Sequence, residues 1–314
     1  MRDAFGREIN YMRVSVTDRC NLRCCYCMPA GAEPASGEAM TGEEILRTAA
    51  AAAELGVTKL RFTGGEPLMR PDIVSLCRRA AAVPGIQEVC LTTNGTLLAA
   101  MATPLKEAGV RRVNVSLDTL APEKFARITG GGSLSRVLDG IEAARSAGLR
   151  VKINTVLLGD FNAGDLPRLA DLTRENDMDV RFIERMPMPR TEEALRPDAC
   201  MTFREALALI PGLTPLPREG TAQMFRFAGA RGRVGFISPM TCPFCGWCNR
   251  IRLTADGHIK PCLHTAPEIP IRGLDRAGMR EALRRAILAK PEKRPCLSME
   301  KFSEAARSMN RIGG

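Results

Sequence analysis

Between Met12 and Arg185, short β-branched or apolar runs alternate with longer stretches in which apolar residues recur at helical spacing. Short apolar runs bounded by turn residues are typical of buried strands, and the longer periodic stretches are typical of helices that pack on them. Helices are therefore predicted between six strands, which are Met12–Val16, Lys59–Thr63, Glu88–Thr93, Arg112–Leu117, Val151–Leu157 and Asp179–Glu184.

The first predicted helix has the clearest boundaries. Thr41, followed three positions later by Glu44, forms a capping box, and Gly56 stands where a glycine commonly ends a helix. Strands that alternate with helices of this length form a parallel sheet with right-handed crossovers. The predicted fold class is therefore α/β, with either a complete or incomplete barrel or a doubly wound sheet.

Polar and glycine-rich segments follow the first four predicted strands. They are Thr17 to Cys27, Gly64 to Pro67, Thr92 to Gly95 and Ser116 to Asp118. In both parallel architectures, ligands bind at the carboxyl ends of the strands. The four segments are therefore expected on one face of the sheet, where they form the predicted site.

After about residue 190 the strand-helix alternation stops, and we expect a domain boundary there, with domains at 1–190 and 191–314. A short helix is predicted at Phe203 to Leu209, followed by hairpins. Asp256-Gly257 is a favoured pair for a tight hairpin turn, which would bring Cys262 back toward Cys245 and Cys248. Two further helices are predicted, Gly278 to Leu288 and Ser298 to Met309, before a flexible tail of Gly313 and Gly314.

Composition narrows the chemistry. The 314 residues carry a net charge of +10, which suits a polyanionic ligand, whereas only 4% aromatic residues leave few platforms for stacking nucleic-acid bases. No apolar run approaches the roughly 20 residues of a membrane helix, and the polar segment Met1 to Asn10 lacks a signal-peptide core. A cytoplasmic location is therefore expected. The twelve cysteines would be reduced there, which favours metal ligation over disulfides.

Cys20, Cys24 and Cys27 have the spacing C-x3-C-x2-C, with Tyr26 just before the last cysteine. Four thiolates normally saturate an iron–sulfur cluster, so three would hold three irons of a four-iron cluster and leave the fourth open. Zinc sites favour two pairs of cysteines, and a zinc knuckle is the alternative. Cys25 is interpreted as a spectator.

A second set consists of Cys245, Cys248 and Cys262. It would hold another cluster with an open iron, unless Cys242 supplies a fourth ligand to a zinc ion or a saturated cluster. Arg250 and Arg252 follow in a predicted strand, where residues two apart share a face. Their forked guanidinium groups suit phosphate, although such a pair is commonly only a solvated strand face.

The first cysteine set, with Tyr26, resembles the signature of the radical S-adenosylmethionine (SAM) enzymes. That resemblance implies that the open iron chelates SAM, which is cleaved to a 5′-deoxyadenosyl radical that abstracts hydrogen from the substrate. The segment Thr63 to Pro67 resembles the stretch that binds the methionine part of SAM, where glycine backbone can come close to the ligand.

Within that superfamily, the chain resembles the enzymes that cyclise GTP in the first step of molybdenum cofactor biosynthesis. The resemblance rests on the paired cysteine sets, on Arg13 to Asp18, on Cys248 to Arg252 and on the double-glycine end. It implies an incomplete (β/α)6 TIM-like barrel whose open side is closed by the C-terminal iron–sulfur domain. It also implies two [4Fe-4S] clusters, with SAM at one and GTP at the other.

The same resemblance implies a lyase reaction. The radical would take hydrogen from ribose C3′ of GTP to give (8S)-3′,8-cyclo-7,8-dihydroguanosine 5′-triphosphate. Implied partners are an external low-potential electron donor and cyclic pyranopterin monophosphate synthase as product acceptor, with no stable nucleic acid, no membrane, and a monomer or homodimer. SAM would contact Tyr26, Gly65, Ser116 and Met186. GTP would contact Arg13, Arg61, Thr92, Lys152, Arg250 and Arg252, with Lys59 and Arg181 as weaker candidates.

Other interpretations stay open at this point. Thr92 and Ser116 could form turns, Met186 could fill the core, and Arg61 or Lys152 could face solvent. The two histidines, His258 and His264, are interpreted as incidental, and Cys77, Cys90, Cys200 and Cys296 as buried small hydrophobic residues. The rival functions are a peptide-modifying radical enzyme and a zinc-stapled nucleic-acid-binding protein, which the pI of about 9.2 would permit.

Overall fold

The computed structural model describes residues 1–28, 38–188, 200–298 and 301–313. Its strands form one mixed sheet in the order β12-β11-β10-β1-β2-β3-β4-β5-β6-β9-β8-β7. The strands are β1 Tyr11–Ser15, β2 Lys59–Thr63, β3 Glu88–Thr93, β4 Val110–Ser116, β5 Arg150–Leu157, β6 Asp179–Glu184, β7 Leu213–Glu219, β8 Ala222–Phe227, β9 Arg233–Ile237, β10 Arg250–Leu253, β11 His258–Lys260 and β12 Ile269–Pro270.

Helices connect the first six strands, which are parallel and neighbours in chain order. The helices of the described residues are α1 Gly42–Glu54, α2 Ile73–Ala81, α3 Leu98–Glu107, α4 Pro122–Thr129, α5 Leu134–Ser146, α6 Leu166–Glu175, α7 Phe203–Ala208, α8 Arg276–Leu288 and α9 Met309–Ile312. This order of parallel strands confirms the predicted α/β class.

The C-terminal strands extend the sheet at both edges. β10 pairs in parallel with β1, with Arg252 level with Arg13, and β9 pairs in parallel with β6. Closure of the barrel by a separate C-terminal domain stays a prediction, and the expected boundary near residue 190 lies outside the described residues.

The two sides of the parallel strands have different characters. Met12 and Val14 of β1 and Phe62 of β2 are fully buried in the core that the sheet shares with the helices. Arg13, between Met12 and Val14, and Arg61, next to Phe62, line an internal cavity instead. Because side chains alternate across a strand, one face packs on the helices and the other presents charged groups to a ligand.

The predicted hairpin at Asp256-Gly257 is confirmed, since β10 and β11 are antiparallel across it and Gly257 has a φ of +88°. The predicted C-terminal helix at Ser298 to Met309 is wrong in the part that the structure describes, because 301–308 is not helical. There the backbone bonds to other segments, with Ser303 N–H donating to Pro187 O (3.0 Å) and Glu304 N–H to His264 O (3.1 Å).

Four cysteines were predicted to be buried, and two of them are. Cys77 and Cys90 are buried, as predicted, whereas Cys200 and Cys296 are exposed, so that part of the prediction was wrong. Cys200 lies three residues before the short helix α7, and Cys296 lies in a segment without regular structure. Across the described ranges, no helix combines the length and apolarity needed to cross a membrane.

The capping box of α1 gives a direct test of local stability. Thr41 Oγ1 accepts a hydrogen bond from Glu44 N–H (3.2 Å), and Glu44 Oε2 accepts one from Thr41 N–H (2.7 Å). Thr41→Ala should lower the free energy of unfolding by about 1 kcal/mol, measured by urea denaturation, because the N-cap acceptor is lost. Thr41→Ser keeps the hydroxyl and should behave like the wild type; equal loss in both variants would contradict this.

Candidate active site and metal centres

A cavity of about 810 Å³ lies among the inward-facing strand residues and the loops at their carboxyl ends. The structure brings both predicted cysteine sets to its wall. It also places there every residue predicted to contact SAM or GTP. These lining residues are Cys20, Cys24, Cys27, Cys245, Cys248, Cys262, Tyr26, Gly65, Ser116, Met186, Arg13, Arg61, Thr92, Lys152, Arg250 and Arg252, together with Lys59 and Arg181. Their individual roles stay predictions.

The loop that carries the first cysteine set is held by backbone contacts with the end of α4. Arg23 N–H donates to Thr129 O (2.8 Å) and Cys25 N–H donates to Ile128 O (3.0 Å). Within the loop, Cys27 N–H donates to Cys24 O (3.0 Å). These bonds hold the loop against the wall of the cavity.

Burial disfavours free thiolates in this set, whereas a bound metal would stabilise the thiolate form. Burial raises the pKa of Cys24 well above its usual value and that of Cys27 to about 12. Cys20 Sγ accepts hydrogen bonds from Leu22 N–H (3.4 Å) and from Asn94 Nδ2 (3.8 Å). Metal coordination stabilises thiolates that burial alone disfavours, and N–H donors to sulfur tune iron–sulfur clusters. The residues present therefore fit the implied cluster.

Gly64 and Gly65 are required for packing, in addition to the approach to a ligand, which stays a prediction. A Cβ at Gly64 would lie 2.1 Å from Thr17 O, and one at Gly65 would lie 2.3 Å from Arg19 O. The two segments are joined by hydrogen bonds from Gly65 N–H to Thr17 O and from Glu66 N–H to Arg19 O, both 2.8 Å. The glycines thus allow this segment to pack against the loop that leads into the first cysteine set.

Two buried carboxylates organise the surroundings of that set. Asp118 accepts hydrogen bonds from Tyr26 O–H and from Val156 N–H, both 2.7 Å, and burial outweighs them to raise the pKa of Asp118 to about 6. Glu66 accepts from Thr93 Oγ1 (2.8 Å) and from a backbone N–H of the next loop, while burial raises its pKa to about 7. Both carboxylates join loops that follow different strands.

The three cysteines of the second set lie around the predicted hairpin. Cys248 directly precedes the strand pair β10–β11 and Cys262 follows it, while Cys245 begins a single turn of 3-10 helix. Although burial would raise the pKa of Cys248, the charges of Arg250 and Lys290 lower it to about 6. A thiol held in this electropositive setting fits a metal ligand.

Cys242 was an open alternative for a fourth ligand. Within the described range 200–298, Cys242 is exposed and does not line the cavity, and its Sγ lies 3.8 Å from Arg218 Nη2. This position favours Cys245, Cys248 and Cys262 over Cys242, and the ligand set stays a prediction. Throughout the described ranges, no three His, Cys, Asp or Glu side chains form a group that could hold a single metal ion.

Buried cations surround the space between the two cysteine sets. Burial lowers the pKa of Arg13 to about 10 and that of Arg252 to about 9, and nearby arginines add to both effects. Arg61 and Lys152 are each 4% exposed, so they are not solvent-facing charges. Buried like charges are costly unless an anion offsets them, and the cavity is therefore suited to a polyanion.

The C-terminal segment reaches the same cations. Gly313 O accepts hydrogen bonds from Arg252 Nη1 (2.6 Å) and Arg13 Nε (3.2 Å). Gly314, the other residue of the predicted tail, lies outside the described residues. The Gly313 carbonyl is thus a hydrogen-bond acceptor for two arginines that are predicted to bind GTP.

Several site residues carry no sequence signal of their own. Asn114 and Asn154 line the cavity, and within the described ranges their buried Oδ1 atoms have no hydrogen-bond partner. Glu219 lines it from the end of β7. Arg7 donates to Cys245 O (2.8 Å) from the N-terminal hairpin. Side chains two apart share a strand face, so Ser116 on β4 and Lys152 on β5 could have pointed to the two asparagines. Glu219 and Arg7 are found only through their tertiary contacts.

Comparisons with known proteins agree with this geometry. The Radical SAM superfamily model matches residues 14–173, and the Molybdenum Cofactor Synthesis C model matches residues 178–297. The chain is 46% identical over 319 residues to the GTP 3′,8-cyclase of Peptoclostridium acidaminophilum, covering 99% of this chain and 98% of that protein. It is 44% identical to the GTP 3′,8-cyclase of Moorella thermoacetica, with all of both chains covered.

The chain belongs to the GTP 3′,8-cyclase family of radical SAM enzymes. This membership confirms the resemblance drawn from the two cysteine sets. It also decides between the interpretations left open for them, since the family is one of iron–sulfur enzymes and not of zinc-stapled proteins.

Solved structures support the fold. The chain is similar to SuiB of Streptococcus suis bound to S-adenosylmethionine, with a TM-score of 0.61 and 15% identity over 82% of this chain and 61% of that one. It is also similar to methylornithine synthase, with a TM-score of 0.51 and 19% identity over 66% of this chain and 64% of that one.

The close packing at Gly64 generates a test. Gly64 also has a φ of +141°, which L side chains rarely adopt. Gly64→Ala should displace the loop before Cys20 and lower anaerobic iron content from about eight to about four per chain. The control is Gly164→Ala, since a Cβ at Gly164 meets nothing within 4 Å. Full iron loading of Gly64→Ala, or equal loss in the control, would contradict the assignment.

Proposed function

We propose that this protein is a radical SAM lyase that cyclises GTP to (8S)-3′,8-cyclo-7,8-dihydroguanosine 5′-triphosphate, the first step of molybdenum cofactor biosynthesis. One observation carries the proposal. A single cavity is lined by two cysteine triplets and by a group of buried cations, in a chain whose full-length relatives are GTP 3′,8-cyclases.

Two [4Fe-4S] clusters and SAM are the cofactors. Cys20, Cys24 and Cys27 hold the first cluster, and Cys245, Cys248 and Cys262 hold the second. When bound, the first cluster and SAM supply the 5′-deoxyadenosyl radical that removes hydrogen from ribose C3′ of GTP. Tyr26, Gly65, Ser116 and Met186 bind SAM, and the Tyr26 ring is fixed by its hydrogen bond to Asp118 (2.7 Å).

GTP is bound by separate side chains rather than by a phosphate-binding loop. The residues are Arg13, Arg61, Thr92, Lys152, Arg250 and Arg252. Arg61 is held in place because it donates to Leu91 O (3.1 Å) and to Thr92 Oγ1 (3.4 Å). Fixed guanidinium groups lose little entropy when they bind phosphate, and burial strengthens their charge interactions with it.

The protein's wider setting follows from this role. An external low-potential donor reduces the first cluster, and cyclic pyranopterin monophosphate synthase accepts the product. The enzyme acts in the cytoplasm as a monomer or homodimer. Residues 1–190 form the radical SAM domain, and 191–314 form the C-terminal domain that contributes the second cluster and closes the open side of the barrel.

A labelled substrate tests the function. GTP with deuterium at C3′ should be consumed with SAM by the reduced, anaerobically reconstituted protein, and the deuterium should appear in 5′-deoxyadenosine, detected by mass spectrometry. A cyclised triphosphate should form in parallel. SAM cleavage that does not depend on GTP, or deoxyadenosine without label, would exclude this reaction.

Arg252 provides a test of the substrate site. Arg252→Ala should raise the KM for GTP roughly 10- to 100-fold, because a buried charge-assisted contact to phosphate contributes about 1.5–3 kcal/mol. Iron content should not change. Arg250 is left intact because its guanidinium bonds the Cys248 thiol. Arg276→Ala on the exposed face of α8 is the control, and an unchanged KM in Arg252→Ala would remove that residue from the site.

A further inference from the structure

Five charged side chains form a closed group at one wall of the cavity, which Lys152, Arg181 and Glu219 line. Lys152 Nζ lies 2.6 Å from Asp179 Oδ2 and 2.7 Å from Glu219 Oε1. Arg181 Nη2 lies 2.7 Å from the same Glu219 oxygen, and Arg233 Nη2 lies 2.6 Å from the other one, Oε2. Lys152 and Arg181 are both candidates for binding GTP, so an internal carboxylate engages cations that the substrate needs.

The two carboxylates of this group differ in their freedom to move. Asp179 begins the internal strand β6, and its side chain is 8% exposed. Glu219 ends β7, the outermost strand of the sheet, and its side chain is 40% exposed. Gly220, with a φ of +59°, follows it in the turn to β8. Glu219 can therefore rotate away from the cations without any change in the sheet.

The neighbouring cations favour the ionised form of Glu219. Burial would raise the pKa of Glu219, but the hydrogen bond from Lys152 and the charges of Lys152, Arg181 and Arg233 lower it far below its usual range. Burial and the charge of Arg181 lower the pKa of Lys152. The cations thus hold Glu219 ionised, and without Glu219 the three cations would share Asp179 as their counter-ion.

We propose that Glu219 is an exchangeable counter-ion of the triphosphate site, which occupies Lys152 and Arg181 in the nucleotide-free enzyme and is displaced by phosphate oxygens when GTP binds. The inference rests on the proposed function. The exchange replaces one anion by another on Lys152 and Arg181, and Arg233 keeps its ion pair with Asp179, so neither state leaves the cations uncompensated. Because Glu219 competes with the triphosphate, it weakens GTP binding and promotes release of the equally charged product.

The inference has a specific consequence for ligands of different charge. A ligand without phosphates does not displace Glu219, so removal of its charge should leave guanosine binding unchanged. GTP displaces Glu219, so the same change should tighten GTP binding. The dissociation constant for GTP should fall roughly 3- to 10-fold in Glu219→Gln, the range expected for a half-exposed ion pair.

Equilibrium dialysis of the anaerobically reconstituted full-length protein with radiolabelled GTP or guanosine measures this directly. Glu219→Asp retains the charge and should stay closer to the wild type than Glu219→Gln. Glu142→Gln is the matched control, since Glu142 is 65% exposed on α5 and its partners Arg145 and Ser146 lie on the same helix. Iron content and circular dichroism establish that each variant is folded and loaded.

The outcomes separate the inference from the proposed function. Tighter GTP binding by Glu219→Gln, with unchanged guanosine binding and an unaffected control, supports the exchange. Unchanged or weaker GTP binding by that variant overturns it, because Glu219 would then hold the cations in place for the substrate. A wild-type protein that binds no GTP would overturn the proposed function, and with it this inference.

Discussion

Buried positive charge is the constraint on which the rest of the structure depends. An α/β sheet buries its interior, and this one places arginine and lysine side chains on the inward face of strands whose other face is apolar. Such charges are tolerated only when anions or hydrogen-bond acceptors lie beside them. Such a partner lies beside each of these cations. Glu219 pairs with Lys152, the Gly313 carbonyl accepts from Arg13 and Arg252, and the Cys248 thiol bonds to Arg250.

The first half of the fold was predictable because its signals are local. Three of the six predicted strands match the observed bounds, and the capping box at Thr41 and the turn at Gly257 form as expected. Hydrophobic periodicity and turn chemistry act over a few residues, so they can be read from neighbours in the chain. The prediction of a helix at Ser298 to Met309 was wrong over the described residues 301–308, where the N–H groups of Ser303 and Glu304 bond to distant carbonyls instead of continuing a helix.

The predictions of the site also succeeded where the signal is local and failed where it is a long-range contact. The cysteine spacings and the Arg250–Arg252 pair identify ligand types without a structure, and all of these residues line the cavity. Glu219 and Arg7 could not be found, since their importance lies in contacts with residues 67 and 238 positions away. The packing requirement at Gly64 could not be found either, because the sequence shows a glycine but not the Thr17 carbonyl that excludes a side chain there.

The parallel pairing of β1 with β10 has a consequence for biosynthesis. Arg13 and Arg252 stand side by side in that register, and Gly313 bonds to both, so residues up to 300 positions apart in the sequence build one wall. The loop of the first cysteine set is held by carbonyls of Ile128 and Thr129, which are synthesised long before Gly313. The contacts that hold this loop can therefore form on a growing chain well before those that build the wall.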